Sequence, residues 1–395
     1  MKYNFDTPIN RRGTDSIKWD VPETELPMWV ADMDFRTAPE IVEAIQNRAA
    51  HGIFGYPDIK DDWYDAYINW WAERHGYTMQ KDWLLFVTGV IPAISSIVRK
   101  LTTPGEKVLI QTPVYNVFFN CAVNNGCTVV ENPLLYNRED HTYSIDVEGL
   151  EQCLKDPQVT LMILCNPQNP AGRIWSASEL LMVGELAARH NVTVISDEIH
   201  CDITSPGVSY VPFASVSDTN RNNSITLIAP TKAFNLAGLK SACISIPNRR
   251  LRHKVWRAIN TDEVAEPNSF ASIAAVTAFT QGGQWLDEAR AYIENNRVFT
   301  GEYLKEQIPD LILVPSNATY LLWIDISALG CSSREFASFL RKTTGLFLTE
   351  GIHYGVPGDG FVRLNVACPR VTLEDGLARL KTGVEMFRNA HDLRS

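Results

Sequence analysis

Seven short runs rich in apolar and β-branched residues punctuate the first two-thirds of the chain: WLLFVT (83–88), KVLIQ (107–111), CTVVE (127–131), VTLMILC (159–165), VTVISD (192–197), SITLIA (224–229) and ACISI (242–246). Runs of this length with little polar alternation predict strands buried on both faces. Between several of them, PAISSIVRKL and ASELLMVGELAARH place apolar residues at intervals of three and four, the period of a helix with one buried face. Helices alternating with buried strands predict an α/β fold, a mostly parallel seven-stranded sheet with helices on both faces.

After about residue 284 the pattern changes. A long helical stretch (286–307) precedes LILVPS, TYLLWIDI, FLTEG and FVRLNVA, which alternate with helical segments and predict a smaller α+β domain. The first 50 residues carry one helix, PEIVEAIQNRAA, opened by Pro39 at a first-turn position. The expected organisation is an N-terminal segment (1–48) belonging with the small domain, a large domain (49–284) and a small C-terminal domain (285–395).

Length and composition narrow the function. At 395 residues, 45% hydrophobic and 21% charged, the chain has material for two cores, which excludes global disorder and a small binding module. Its 36 basic and 46 acidic side chains give a net charge of −10 with no basic stripe, so nucleic acid is not an expected partner and a small molecule is. MKYNFDTPINRRG lacks the apolar core of a signal peptide, and no stretch reaches the roughly 18 apolar residues needed to span a bilayer. The expectation is a cytoplasmic protein with no membrane contact. Eight cysteines without a CxxC pair match neither a disulfide framework nor zinc-ligand spacing, and read as mostly buried thiols.

Open α/β sheets bind ligands at the carboxyl ends of their strands, and four such ends carry candidate chemistry. After the first run, Thr88-Gly89-Val90-Ile91-Pro92 is either a plain strand-to-helix turn or a helix start whose free N–H groups hold a phosphate. After the fourth, Asn166-Pro167-Gln168-Asn169-Pro170-Ala171-Gly172 holds two Asn amides in a stiff loop, for structural or ligand purposes. After the fifth, Ser196-Asp197-Glu198-Ile199-His200-Cys201-Asp202 reads as a satisfied ionic edge, a metal cluster, or an Asp paired with a cationic cofactor nitrogen. The metal reading suffers because neighbours in an extended segment point to alternate faces, and no metal is expected. After the sixth comes Pro230-Thr231-Lys232-Ala233-Phe234-Asn235-Leu236-Ala237-Gly238-Leu239-Lys240. Lys232, in a largely apolar turn, is either a solvated surface lysine or a desolvated nucleophile suited to Schiff-base chemistry.

Together these four ends resemble the fold-type I pyridoxal-phosphate enzymes, the aspartate-aminotransferase superfamily, across nearly the whole chain. LPMWVADMDF (26–35), GYPD (55–58), NPQNPAGR (166–173), SDEIHCD (196–202) and TKAFNLAGLK (231–240) are similar to the cystathionine β-lyase, or C–S lyase, branch. The resemblance implies pyridoxal 5'-phosphate as cofactor and residues 49–284 as the domain that binds it. Lys232 is then the lysine bonded to the cofactor and the catalytic base. Asp197 holds the pyridine nitrogen protonated, Asn169 and His200 bond the phenolic oxygen, and Tyr115 stacks on the ring. Phosphate falls to Gly89, Val90, Ile91, Thr231 and Lys240, with Tyr56 reaching across from the second subunit of a homodimer with shared active sites. Arg363 clamps the substrate α-carboxylate, with Ala31 and Asn169 beside the substrate. His200, Ala229 and Lys240 stand where many aminotransferases have Tyr, Ser and Arg; the first and third also mark the β-lyase branch, whereas Ala229 removes one hydroxyl contact to phosphate. The implied activity is elimination of thiol from an L-cysteine thioether such as L-cystathionine, giving pyruvate and ammonia. A class I/II aminotransferase, which shares the proton abstraction, is the alternative.

Overall fold

The computed structural model describes residues 2–392. In chain order the strands are β1 (Leu26–Pro27), β2 (Leu84–Val87), β3 (Lys107–Ile110), β4 (Thr128–Glu131), β5 (Leu135–Tyr136), β6 (Tyr143–Ser144), β7 (Val159–Cys165), β8 (Thr193–Asp197), β9 (Ser224–Ile228), β10 (Ala242–Ser245), β11 (Ile312–Leu313), β12 (Leu321–Asp325), β13 (Leu346–Phe347), β14 (Thr349–Glu350) and β15 (Phe361–Asn365). The seven apolar runs all enter one sheet, ordered β2-β10-β9-β8-β7-β3-β4. Pairing is parallel from β4 through β9, while β10 is antiparallel to both β9 and β2. Six strands therefore point one way, and the single reversed strand brings its beginning to the edge where the others end.

Helices cover the sheet as the three-and-four spacing predicts. Helix Val90–Leu101 buries Val90, Ala93, Ile94, Ile97 and Val98, and helix Ala177–Arg189 opens with a capping box between Ser176 and Glu179. Because both faces are covered, β9 and β10 are buried along their whole length, which is why they read as unbroken apolar runs. The long helix starts at Gly283 rather than 286, directly after helix Ala271–Gln281. The joint at Gly282 is a close approach: a Cβ there would lie 2.6 Å from the Phe234 ring, so only glycine lets these helices seat against the loop that carries Lys232.

The later runs form a second, antiparallel sheet, β11-β12-β15-β14. LILVPS contributes only Ile312–Leu313, ending ahead of Pro315, which has no N–H to donate. The stretch around FLTEG divides: β13 pairs with N-terminal β1, whereas β14 pairs with β15. The β1–β13 pair fastens the N-terminal segment to the C-terminal third, reinforced by a bidentate Arg341–Glu25 pair. Helix Pro39–Ala50 instead lies against helix Ala271–Gln281. No helix among the described residues is long and apolar enough to cross a membrane.

Candidate active site

The strand ends converge on a cavity of about 190 Å³ lined by Gly89, Val90, Ile91, Tyr115, Asn169, Asp197, His200, Thr231, Lys232, Lys240 and Ala31. Five of its walls follow β2, β3, β7, β8 and β9 where those strands stop. The sixth, Lys240-Ser241, enters because β10 runs backwards, with Lys240 in a left-handed turn at φ +53°. Sharing Ala31, Tyr115 and Lys232 with this cavity is an outer chamber of about 760 Å³, bounded by Trp29, Phe347, Tyr354 and, from the second sheet, Thr349, Glu350 and Arg363.

At the inner end Asp197 is buried and accepts one backbone bond, from Ile199 N–H at 3.1 Å. Burial pushes its carboxyl up to about 7, against the opposing pull of Lys232. His200 is buried and its imidazole falls to about 3, first through burial and then through the charges of Lys232 and Arg363. Its Nδ1 has no partner among the described residues. Burial and Arg363 bring the Lys232 amine down to about 8, and its Nζ donates to the carbonyl of Ala31 at 2.7 Å. The side chain keeps some exposure to the cavity while protein packs closely around it, so desolvation dominates.

At one end helix Val90–Leu101 begins at Gly89 with no side chain capping its first N–H groups. Thr231, Lys240 and Ser241 face the same space, and open N–H groups at a helix start beside a lysine are an arrangement able to hold an anion. At the other end Arg363 rises from the middle of β15, donating to Asn169 Oδ1 at 3.1 Å and to Trp29 O at 2.9 Å while its buried Nε is unpartnered. The Asn169 loop is held at Gly172, where φ is +67° and a Cβ would come within 2.7 Å of Ala318 O.

Residues 196–202 divide between two faces. Asp197 and His200 face the cavity, whereas Asp202 Oδ1 turns away to Trp70 Nε1 and His75 Nε2, both at 2.9 Å. His75, Cys201 and Asp202 do lie together, but the Asp202 oxygen already accepts from an indole N–H. Tyr56 stands apart, 99% exposed, and lines a separate hollow beside Trp256 and Pro267. Three residues near the site carried no sequence signal recognised above: Ser241, Tyr320 and Asn365. Ser241 and Tyr320 directly precede apolar strands and Asn365 closes one, positions that look structural until the fold shows which edge they meet.

Residues 26–380 match the family described as aminotransferase class I and II. The chain is 43% identical to cystathionine beta-lyase PatB of Bacillus subtilis, over 96% of this chain and all of that one. It is 32% identical to protein MalY of Escherichia coli, over 98% of this chain and all of that one. Among solved structures it superposes on cystalysin from Treponema denticola, which contains a pyridoxal 5'-phosphate cofactor, with a TM-score of 0.94 and 30% identity over 98% and 99% of the two chains. The fold, the converging strand ends and these matches agree: the chain belongs to the aminotransferase class I and II family.

Proposed function

We propose that the chain is a pyridoxal-phosphate-dependent carbon–sulfur β-lyase that eliminates thiol from L-cystathionine or a related L-cysteine thioether, leaving pyruvate and ammonia. The observation that carries this reading is one cavity that gathers a depressed lysine, a buried carboxylate and a neutral imidazole around an open helix start, in a chain with 43% identity to a cystathionine β-lyase. Buried polar groups without partners call for a ligand, and His200 Nδ1 and Arg363 Nε are two of them. The donor set fits the cofactor. The N–H groups of Gly89, Val90 and Ile91 with Thr231 and Lys240 suit its phosphate, Asp197 its ring nitrogen, Asn169 and His200 its ring oxygen, and Tyr115 its ring face.

Bound there, pyridoxal phosphate supplies a conjugated cationic ring that takes up electron density when an amino acid loses its α-proton. The protein does the rest. With its amine brought down to about 8, Lys232 is neutral in roughly a tenth of molecules at pH 7, far more than an ordinary lysine, and can receive that proton at Nζ. Asp197, which keeps its own proton to about 7 when alone, is held ionised by a cation beside it. Arg363 offers Nε and its two Nη groups to the substrate α-carboxylate, and the outer chamber receives the sulfur-linked remainder.

Three further elements belong to the same reading. Ile53, Phe54 and Tyr56 are exposed together, which supports a homodimer in which Tyr56 reaches the phosphate position of a second copy. Eight free cysteines, none paired, support work in the cytoplasm. The separate antiparallel sheet supports a small domain of residues 285–395 set against a large domain of 49–284, and the β1–β13 pair supports joining the N-terminal segment to the former, although helix Pro39–Ala50 packs on the latter. The function is tested by product partition. L-cystathionine giving pyruvate, free thiol and ammonia without any keto-acid acceptor is the expected result; turnover that requires the acceptor makes the chain an aminotransferase instead.

A further inference from the structure

The segment WVADMDF (29–35) has so far supplied the carbonyls of Trp29 and Ala31, and six of its seven carbonyls accept from side chains elsewhere in the chain. Trp29 O accepts from Arg363 Nη2 at 2.9 Å and Thr349 Oγ1 at 3.2 Å. Val30 O and Asp32 O both accept from the one amide of Asn365, each at 2.6 Å. Ala31 O, between them, accepts from Lys232 Nζ at 2.7 Å and the Tyr320 hydroxyl at 3.1 Å. Farther along, Asn235 Oδ1 accepts from Met33 N–H at 3.0 Å, and its amide donates to Met33 O and Phe35 O, both at 2.9 Å. Asp32 and Asp34 close the segment through a partly buried ion cluster with Arg11 and Lys18.

This strap touches both ends of the site. One carbonyl meets the arginine assigned to the substrate carboxylate, and two residues on another meets the lysine assigned to the proton. Asn365 holds the span between them. It is buried at the end of β15, two residues beyond Arg363, and its Oδ1 accepts from Ala367 N–H at 2.8 Å, which fixes the amide so that its NH₂ faces the strap. Both hydrogens of that NH₂ are used on carbonyls 30 and 32, which leaves carbonyls 29 and 31 for Arg363 and Lys232.

We propose that Asn365 is a positioning residue that sets the Lys232 amine by clamping residues 30–32, so that the Ala31 carbonyl stands as the fixed acceptor of the lysine's proton. A carbonyl accepting from Nζ favours the ammonium, offsetting part of the burial that disfavours it. The other charged groups facing Lys232 are Arg363 and Lys240, which oppose the ammonium, and Asp32 and Asp197, which favour it; His200, Tyr115 and Tyr320 stand around the same amine. Asn365→Ala removes none of these groups and unclamps the strap.

The proposal rests on the assignment of Lys232 above, and its test does not depend on turnover. Cofactor-free protein is treated with an amine-acylating reagent across a pH series, and acylation of Lys232 and Lys240 is followed by peptide mass spectrometry. Only the neutral amine reacts, so losing the Ala31 acceptor shifts the Lys232 curve to lower pH. Acylation of Lys232 in Asn365→Ala below pH 8 is expected to be about threefold to tenfold faster than in the parent, with Lys240 unchanged. Asn365→Ser, which retains one donor in a small side chain, is expected to fall between, and carries the test if the alanine variant does not fold. Folded variants whose Lys232 curve superimposes on that of the parent overturn the proposal. If cystathionine is not cleaved yet the curve shifts, the lyase reading fails and the positioning role stands.

Discussion

The two sheets contribute to the site in different ways. The seven-stranded sheet delivers Asp197 as the last residue of β8 and Gly89, Asn169 and Lys232 in loops just beyond its strand ends, where the backbone leaves the ladder and side chains can converge. The antiparallel sheet delivers Arg363 and Asn365 from within β15, where side-chain direction is fixed by the pleat and the register with β12. Ends of parallel strands are readable because turn residues mark them. A functional residue inside a strand differs from its neighbours only by being polar where burial is expected.

The difference also divides the proposed chemistry, since the first sheet's edge surrounds the groups that suit a cofactor and the second sheet borders the chamber proposed to receive a substrate. The largest effect should come from the first. Lys232→Ala is expected to lower turnover by several orders of magnitude and to abolish borohydride-fixed pyridoxal label on the protein; near-normal activity with label retained would break the division at its centre.

Asp197→Ala follows, with turnover falling on the order of a hundredfold or more while cofactor occupancy falls much less, because a lost ring-nitrogen partner weakens electron uptake more than binding. Titrating cofactor into the variant and comparing occupancy with kcat checks this. Arg363→Ala probes the other sheet: KM for L-cystathionine should rise by a factor of about ten to a hundred, and the absorption spectrum of the resting holoenzyme should persist. A spectrum altered as much as by Asp197→Ala would erase the distinction between the two sides.

Tyr56 sharpens the comparison by testing a surface that neither sheet supplies. Mixing Tyr56→Phe and Lys232→Ala protomers, each weakly active or inactive alone, should restore part of the activity by leaving one complete site per mixed pair; a fully active monomer at assay dilution would contradict shared sites.

The smallest expected effect is on stability. In cofactor-free protein Asp197 keeps its proton to about pH 7, against an ordinary value of 3.8, so the folded state binds that proton more tightly than the unfolded state. The associated stability is full below pH 3.8 and is lost as pH rises toward 7. Asn cannot titrate. The urea midpoint of the parent should therefore decline relative to Asp197→Asn between pH 4 and 7, and cofactor should flatten the decline by placing a cation beside the carboxylate.

What the sequence determined by itself was the alternation of buried runs and amphipathic helices, hence the large sheet, and the identity of residues at its marked ends. Those signals are local: Pro and Gly stop strands, capping residues start helices, and apolar periodicity reports which faces are covered. The resemblance carried by WVADMDF and the other motifs also singled out Ala31 and Arg363 without showing what holds them. Only the tertiary structure decided that β10 runs backwards and so brings Lys240 and Ser241 to the ligand edge, that Asp197 and His200 face the cavity while Asp202 turns to His75, and that Asn365 clamps residues 30 and 32. Each of these joins groups far apart in the chain, and strand direction and side-chain facing across such distances follow from how whole layers pack, which no window of neighbouring residues contains.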